Sequence, residues 1–131
     1  MQDVLEVILQ RFSADTGTIH RLEGDLLLLE AEIGLPPPVV EIVRRVPIGK
    51  GMAGLAAERN EPVSSCNIQV DATGNVRPGA RQTGVNGAIV VPIRDAAGNV
   101  RGTLGIGVHR EYAYKDTEVA RLLDEAARIG F

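Results

Sequence analysis

A chain of 131 residues with 44% hydrophobic side chains is bounded to one domain of ordinary size with a single core. Its net charge of −3 argues against a duplex nucleic-acid binder, and no apolar run approaches the ~20 residues that cross a bilayer. One cysteine, Cys66, excludes an internal disulfide framework and a cysteine-rich zinc site, and the start Met1-Gln2-Asp3 lacks a signal peptide's basic segment, which fits a cytoplasmic, bacterial-style protein.

Residues 2 to 14 place Val4, Leu5, Ile8, Leu9 and Phe12 on one stripe at helical spacing, which predicts an amphipathic helix. Gly17 punctuates its exit. Residues 18 to 22 alternate as a strand, Glu23-Gly24-Asp25 signals a turn, and residues 26 to 33 form a second strand, so the pair reads as a hairpin. The prolines from Pro36 to Pro38 have no place in a ladder, but Pro38 suits the first turn of a short helix carrying Val39, Ile42 and Val43. Val46 to Ile48 predicts a short strand. Gly49 to Gly54 opens a helix running to about Arg59, and Pro62 to Ser65 reads as an edge strand. Residues 67 to 84 are glycine-containing and poor in apolar side chains, the mark of a long functional loop. Val85 to Ile93 and Val100 to Val108 flank the turn Asp95 to Asn99 as a second hairpin. A loop from His109 to Tyr114 leads to a last helix with Val119, Leu122, Leu123 and Ala126 on one stripe. Asp116 and Glu118 sit in its first turn, where the helix dipole favours acids.

Strands in runs with helices set apart predict an α+β domain with an antiparallel sheet. The first and last helices should cover one face. The inserted helices and the 67–84 loop should cover the other, with a binding pocket between sheet and loop. The core must be aliphatic, because the chain has no Trp, two Tyr and two Phe. Such a chain can hardly wall a large flat chromophore.

Several segments, in order, then resemble one known family. Pro47 to Val63, with its glycine turn Gly49-Lys50-Gly51-Met52-Ala53-Gly54 opening a helix that ends before Pro62-Val63, is similar to the GAF signature. Ala88-Ile89-Val90-Val91-Pro92-Ile93 followed by Gly98-Asn99-Val100-Arg101-Gly102-Thr103-Leu104-Gly105-Ile106 resembles that family's hairpin, and Tyr114-Lys115-Asp116-Thr117-Glu118 its last helix start. Lys115 departs from the Thr or Ser often found as that cap. The resemblance covers nearly the whole chain as one GAF domain, residues 1 to 131. It implies a PAS-like fold: a central antiparallel sheet of about five or six strands, terminal helices on one face and dimerisation through them. It also implies a small-molecule-sensing role in signal transduction, coupled to an output domain or partner protein.

The candidate chemistry follows from single residues. The glycine turn lacks the Gly-Lys-Ser/Thr ending of a phosphate-binding loop and reads as a packing turn. His20, His109 and Cys66 lie too far apart in the chain to suggest three converging metal ligands, so no metal site is expected and no cofactor is assigned. No cyclic-nucleotide motif of the family is present. The family includes free methionine sulfoxide reductases, which need cysteines in the glycine turn and in the long loop. Here Ala53 stands in the turn and no cysteine follows Cys66, so the expectation is that the chain is not an enzyme, with thiol chemistry at Cys66 as an alternative. A dimerisation module with a filled pocket is a further alternative. The expected ligand-binding residues are Cys66, Asp71, Arg81, Thr83, Asn86 and Ala88. The polar ones orient an unidentified small molecule, and Asn86, Ala88 and Val90 share one strand face.

Overall fold

A computed structural model describes residues 1–131 apart from the side chain of Pro78. Helix α1 (Gln2–Phe12) closes at Ser13, whose left-handed φ of 51° ends the helix before Ala14. Strands β1 (Thr16–Glu23) and β2 (Leu26–Ile33) form the first hairpin. β1 begins at Thr16 and not at Thr18, because Gly17 is a strand residue and not a breaker. A Cβ there would meet Leu9 at 2.7 Å and Leu5 at 2.9 Å, so the bare backbone lets α1 lie directly on the sheet.

The chain continues through α2 (Pro37–Val43), β3 (Arg45–Pro47), α3 (Gly51–Arg59) and β4 (Val63–Ser65). A 3-10 helix (Pro78–Thr83) lies within the long connection to β5 (Gly87–Arg94), followed by β6 (Val100–Val108) and α4 (Asp116–Ala127). Val85 and Asn86, expected in β5, precede it, although Asn86 N–H still donates to Val108 C=O at 2.9 Å. The six strands form one antiparallel sheet in the order β3-β2-β1-β6-β5-β4.

Alternation along the central strands sends large side chains to one face. Ile19, Ile89, Val91, Ile93, Leu104 and Ile106 meet Leu5, Ile8 and Leu9 of α1 and Leu122 and Ala126 of α4 in the main core. Each such side chain contributes about 1.5–3 kcal/mol on burial. Arg11 and Glu125 join the two terminal helices at 2.7 Å, an ion pair whose arginine side is open to water and which adds little stability. On the opposite face Leu27, Val46 and Ala57 form a smaller core under α3.

Two close approaches place the inserted helices. At Gly54, a Cβ would sit 2.5 Å from the Pro47 carbonyl oxygen, so only glycine lets α3 double back on the end of β3. At β1, His20 is 2% exposed and its Nε2 lies 2.8 Å from Val43 C=O, which ties the end of α2 to the sheet. Burial pushes the His20 pKa below its ordinary 6.5, and the Val43 hydrogen bond offsets this only in part.

Gly54→Ala should therefore destabilise the domain by about 1–3 kcal/mol, read as a lower urea midpoint, because the displaced atom is backbone and cannot swing away. An unchanged midpoint would show that α3 has room to shift. For His20, the unfolded chain takes up a proton near the ordinary pKa while the folded one resists until lower pH. The stability from neutral His20 is thus present above pH ~6.5 and is lost as pH falls below it, by at most about 1.4 kcal/mol per pH unit. Urea unfolding between pH 7 and 5.5 should show this decline in the wild type. It should be shallower in His20→Gln, and parallel curves would refute the assignment.

Candidate functional site

The two faces of the central strands differ in side-chain size. Opposite the large aliphatics, β1 presents Thr16, Thr18 and His20, β6 presents Gly105 and Gly107, and β5 presents Ala88 and Val90. His20 reaches up to α2 and Val85 settles on Gly107, but the short groups between them, Thr18, Gly105 and Ala88, cannot fill the space above. A cavity of about 180 Å³ results, floored by them and walled by α2, the start of α3 and the long connection. Val39, Ile42, Val43 and Val46 form one wall and Met52 and Ala53 another. Ile68, Val76, Gly79, Ala80, Thr83 and Val85 close it from the loop. A Cβ on Gly79 would lie 3.6 Å from Ile42 Cδ1, so roof and α2 are in contact.

The long connection holds its shape through its own polar groups. Asn67 Oδ1 accepts from Gln69 N–H and from Asn86 Nδ2, both at 3.1 Å, and Gln69 Nε2 donates to Val85 C=O at 2.7 Å. Ser65 Oγ donates to the Asp71 carboxylate at 2.6 Å, as does Thr73 through its N–H at 2.9 Å. These hydrogen bonds, that from Ser65 above all, hold the Asp71 carboxyl below the usual carboxylate range. Arg81 Nη2 donates to Asp71 C=O at 3.1 Å across the same segment.

Of the residues expected at the site, Thr83 and Ala88 line the cavity. The Thr83 hydroxyl is engaged, donating to Ala80 C=O at 2.7 Å and accepting from Val85 N–H at 3.0 Å. Asp71, Arg81 and Asn86 are not in the lining and instead brace the roof from outside. Cys66 is exposed and also outside the lining, and its backbone carbonyl accepts from Tyr112 N–H at 3.0 Å.

Arg77 of the loop's polar cluster also enters the lining, with Thr18, His20, Lys50, Gly105 and Gly107, which carry no functional expectation from sequence. The alternation of small residues at Thr103, Gly105 and Gly107 in an otherwise aliphatic strand was the available signal. His20 Nδ1 and Thr103 Oγ1 are buried without a hydrogen-bond partner. Among the described residues no three His, Cys, Asp or Glu side chains cluster as metal ligands, and no helix is long and apolar enough to cross a membrane.

Solved structures share this architecture. The GAF domain of a phosphoenolpyruvate-protein phosphotransferase from Coxiella burnetii matches with a TM-score of 0.79 and 23% identity, over 96% of this chain and 75% of that one. A type II free methionine-R-sulfoxide reductase from Thermoplasma acidophilum matches with a TM-score of 0.76 and 22% identity, over 98% and 86%. The free methionine-R-sulfoxide reductase from Neisseria meningitidis, solved with its substrate, matches with a TM-score of 0.75 and 19% identity, over 95% and 70%. Identities this low establish the shared fold. No curated protein sequence matches the chain.

The reductases correct one expectation. The absence of cysteine at Ala53 and after Cys66 was read to mean that the chain is not an enzyme, yet enzymes are built on this same fold. A GAF domain can be sensory or enzymatic, and a missing cysteine pair speaks to one reaction and not to catalysis as such.

The expected fold class stands: six antiparallel strands, terminal helices on one face and the inserted helices and loop on the other. The sequence pattern of the GAF domain also matches residues 1–129, the whole sheet and all four helices, and the chain belongs to the GAF domain family.

Proposed function

We propose that this GAF domain is a sensory module that binds a small, largely aliphatic molecule in the hollow above β1, β6 and β5. One observation carries the reading: the same strands carry Ile and Leu on the face that meets the terminal helices and Gly, Ala and Thr on the face that meets the cavity. An aliphatic void of about 150 Å³ is known to hold benzene, so a hollow of about 180 Å³ suits a molecule of about six to ten non-hydrogen atoms. Thr83 and Ala88 touch such a ligand, while Asp71, Arg81 and Asn86 set the roof that closes on it.

Binding signals only if it favours one arrangement of the domain over another. The strands beneath the ligand also carry α1 and α4 on their reverse side, so repacking of the floor is felt by the terminal helices. Val4 and Val7 on α1 are 41% and 43% exposed, an apolar strip that supports pairing of two copies through these helices. From there the signal passes to an output domain or partner protein.

A panel of small aliphatic and aromatic molecules should contain at least one that raises the melting midpoint. At about one hundred times its Kd, a ligand adds about 2.7 kcal/mol of stability. Ala88→Phe, which fills the hollow from its floor, should abolish that shift while keeping the far-ultraviolet circular dichroism of the wild type. A panel without binders, or undiminished binding by Ala88→Phe, would refute the reading. For the pairing, sedimentation should show a dimer that Val7→Glu converts to a monomer, and a wild-type monomer at high concentration would rule it out.

A further inference from the structure

The charges around the hollow are one-sided. Of its lining side chains, Lys50 and Arg77 are cationic, and no Asp or Glu is among them. Both cations are exposed, and among the described residues neither forms an ion pair or side-chain hydrogen bond. Four other cations of the chain, Arg11, Arg21, Arg44 and Arg128, are neutralised by glutamates, whereas the charges of Lys50 and Arg77 are left for solvent or an occupant. Arg77 is also held in place: a Cβ on Gly51 would meet its Cδ at 2.8 Å, so its aliphatic stem lies across the first residue of α3.

That residue begins a nine-residue helix with no side-chain cap. Its first backbone N–H groups have no intrahelical acceptor and favour negative charge, in the same wall as the two cations. A second unmet group lies deeper. His20 lines the hollow, is 2% exposed, and has its Nε2 engaged by Val43 C=O. Its Nδ1 is left buried and without a partner, in a wall otherwise largely aliphatic. With Nε2–H donating to Val43, Nδ1 is an acceptor with no surface open to the hollow, so it sets no demand on an occupant. The lining thus asks for an apolar body, one negative end and little else.

We infer that the ligand is a small aliphatic carboxylate, its hydrocarbon part on the Gly105–Ala88 floor and its carboxylate at the mouth between Lys50, Arg77 and the first turn of α3. This rests on the proposal that the hollow binds a small molecule and adds the chemical class. A carboxylate suits the mouth because a guanidinium can pair with it through two parallel hydrogen bonds. A multiply charged ligand does not suit it, since only one end of the cavity offers cations. The acid end stays near water, so the charge is never fully buried.

The test compares 4-methylpentanoate with 4-methylpentanamide, which has nearly the same shape and no charge, by calorimetry on the full chain at low salt. The acid should bind about tenfold more tightly, the scale of charge-assisted hydrogen bonds, and added salt should narrow the gap. In a Lys50→Met, Arg77→Met variant the advantage of the acid should vanish while the amide binds as before. Methionine keeps the stem that lies on Gly51, and both positions are exposed, so the variant should fold with an unchanged melting midpoint. If the amide binds as well as the acid, or the variant retains the tenfold preference, the carboxylate assignment is wrong and the binding hollow stands. If neither probe binds while a neutral molecule of the panel does, the carboxylate assignment is wrong and the binding hollow stands; only a panel without any binder removes both.

Discussion

Side chains alternate across a β-strand, so the two faces of a central strand are composed independently. In β1, β5 and β6 that independence is used to its limit. One face carries Ile19, Leu104, Ile106, Ile89 and Val91 and is packed solid against α1 and α4. The other carries Thr18, Gly105 and Ala88, too short to fill the space above them, and Gly107, whose bare backbone lets Val85 of the roof settle on the sheet. The fold's stability and its hollow are therefore properties of the same strands, separated by one residue of register. A one-residue slip in β6 would exchange them, and the main core fixes the register against it.

The roof depends on this floor in turn. The long connection has few apolar side chains, but Ile68, Val76 and Val85 all line the cavity, and Asn67, Gln69, Asp71 and Asn86 are turned outward into a mutual network. Side chains around a void lose dispersion contacts that an occupant restores. An occupant of matching shape would thus tighten roof, α2 and floor together. The hydrogen bond from His20 to Val43 already links two of the three.

Most of the architecture was legible because hydrophobic periodicity reports what a face packs against. Both hairpins and the terminal helices follow from spacing that the core then uses. The misplaced start of β1 has a local cause: Gly17 reads as a breaker in sequence, while in space it is where α1 presses on the sheet. The site was legible in outline only. Sequence reasoning weighted polar residues of the loop, but Asp71 and Asn86 satisfy their hydrogen bonds within the loop and so face away from the hollow. A cavity is defined by side chains that are missing, and glycines such as Gly105 and Gly107 carry no polarity to mark them. Lys50 and Arg77 lie far apart in the chain and are brought to one mouth only by the fold.

The sheet's two outermost strands, β3 and β4, are three residues each, Arg45–Pro47 and Val63–Ser65. Pro47 and Pro62 further thin the row of backbone donors at those margins. A neighbouring molecule finds almost no ribbon there onto which to zip another strand. At β3 and β4 strand-by-strand growth into fibrils is therefore blunted, and a meeting of two copies at those margins rests on side-chain shape and composition more than on open backbone.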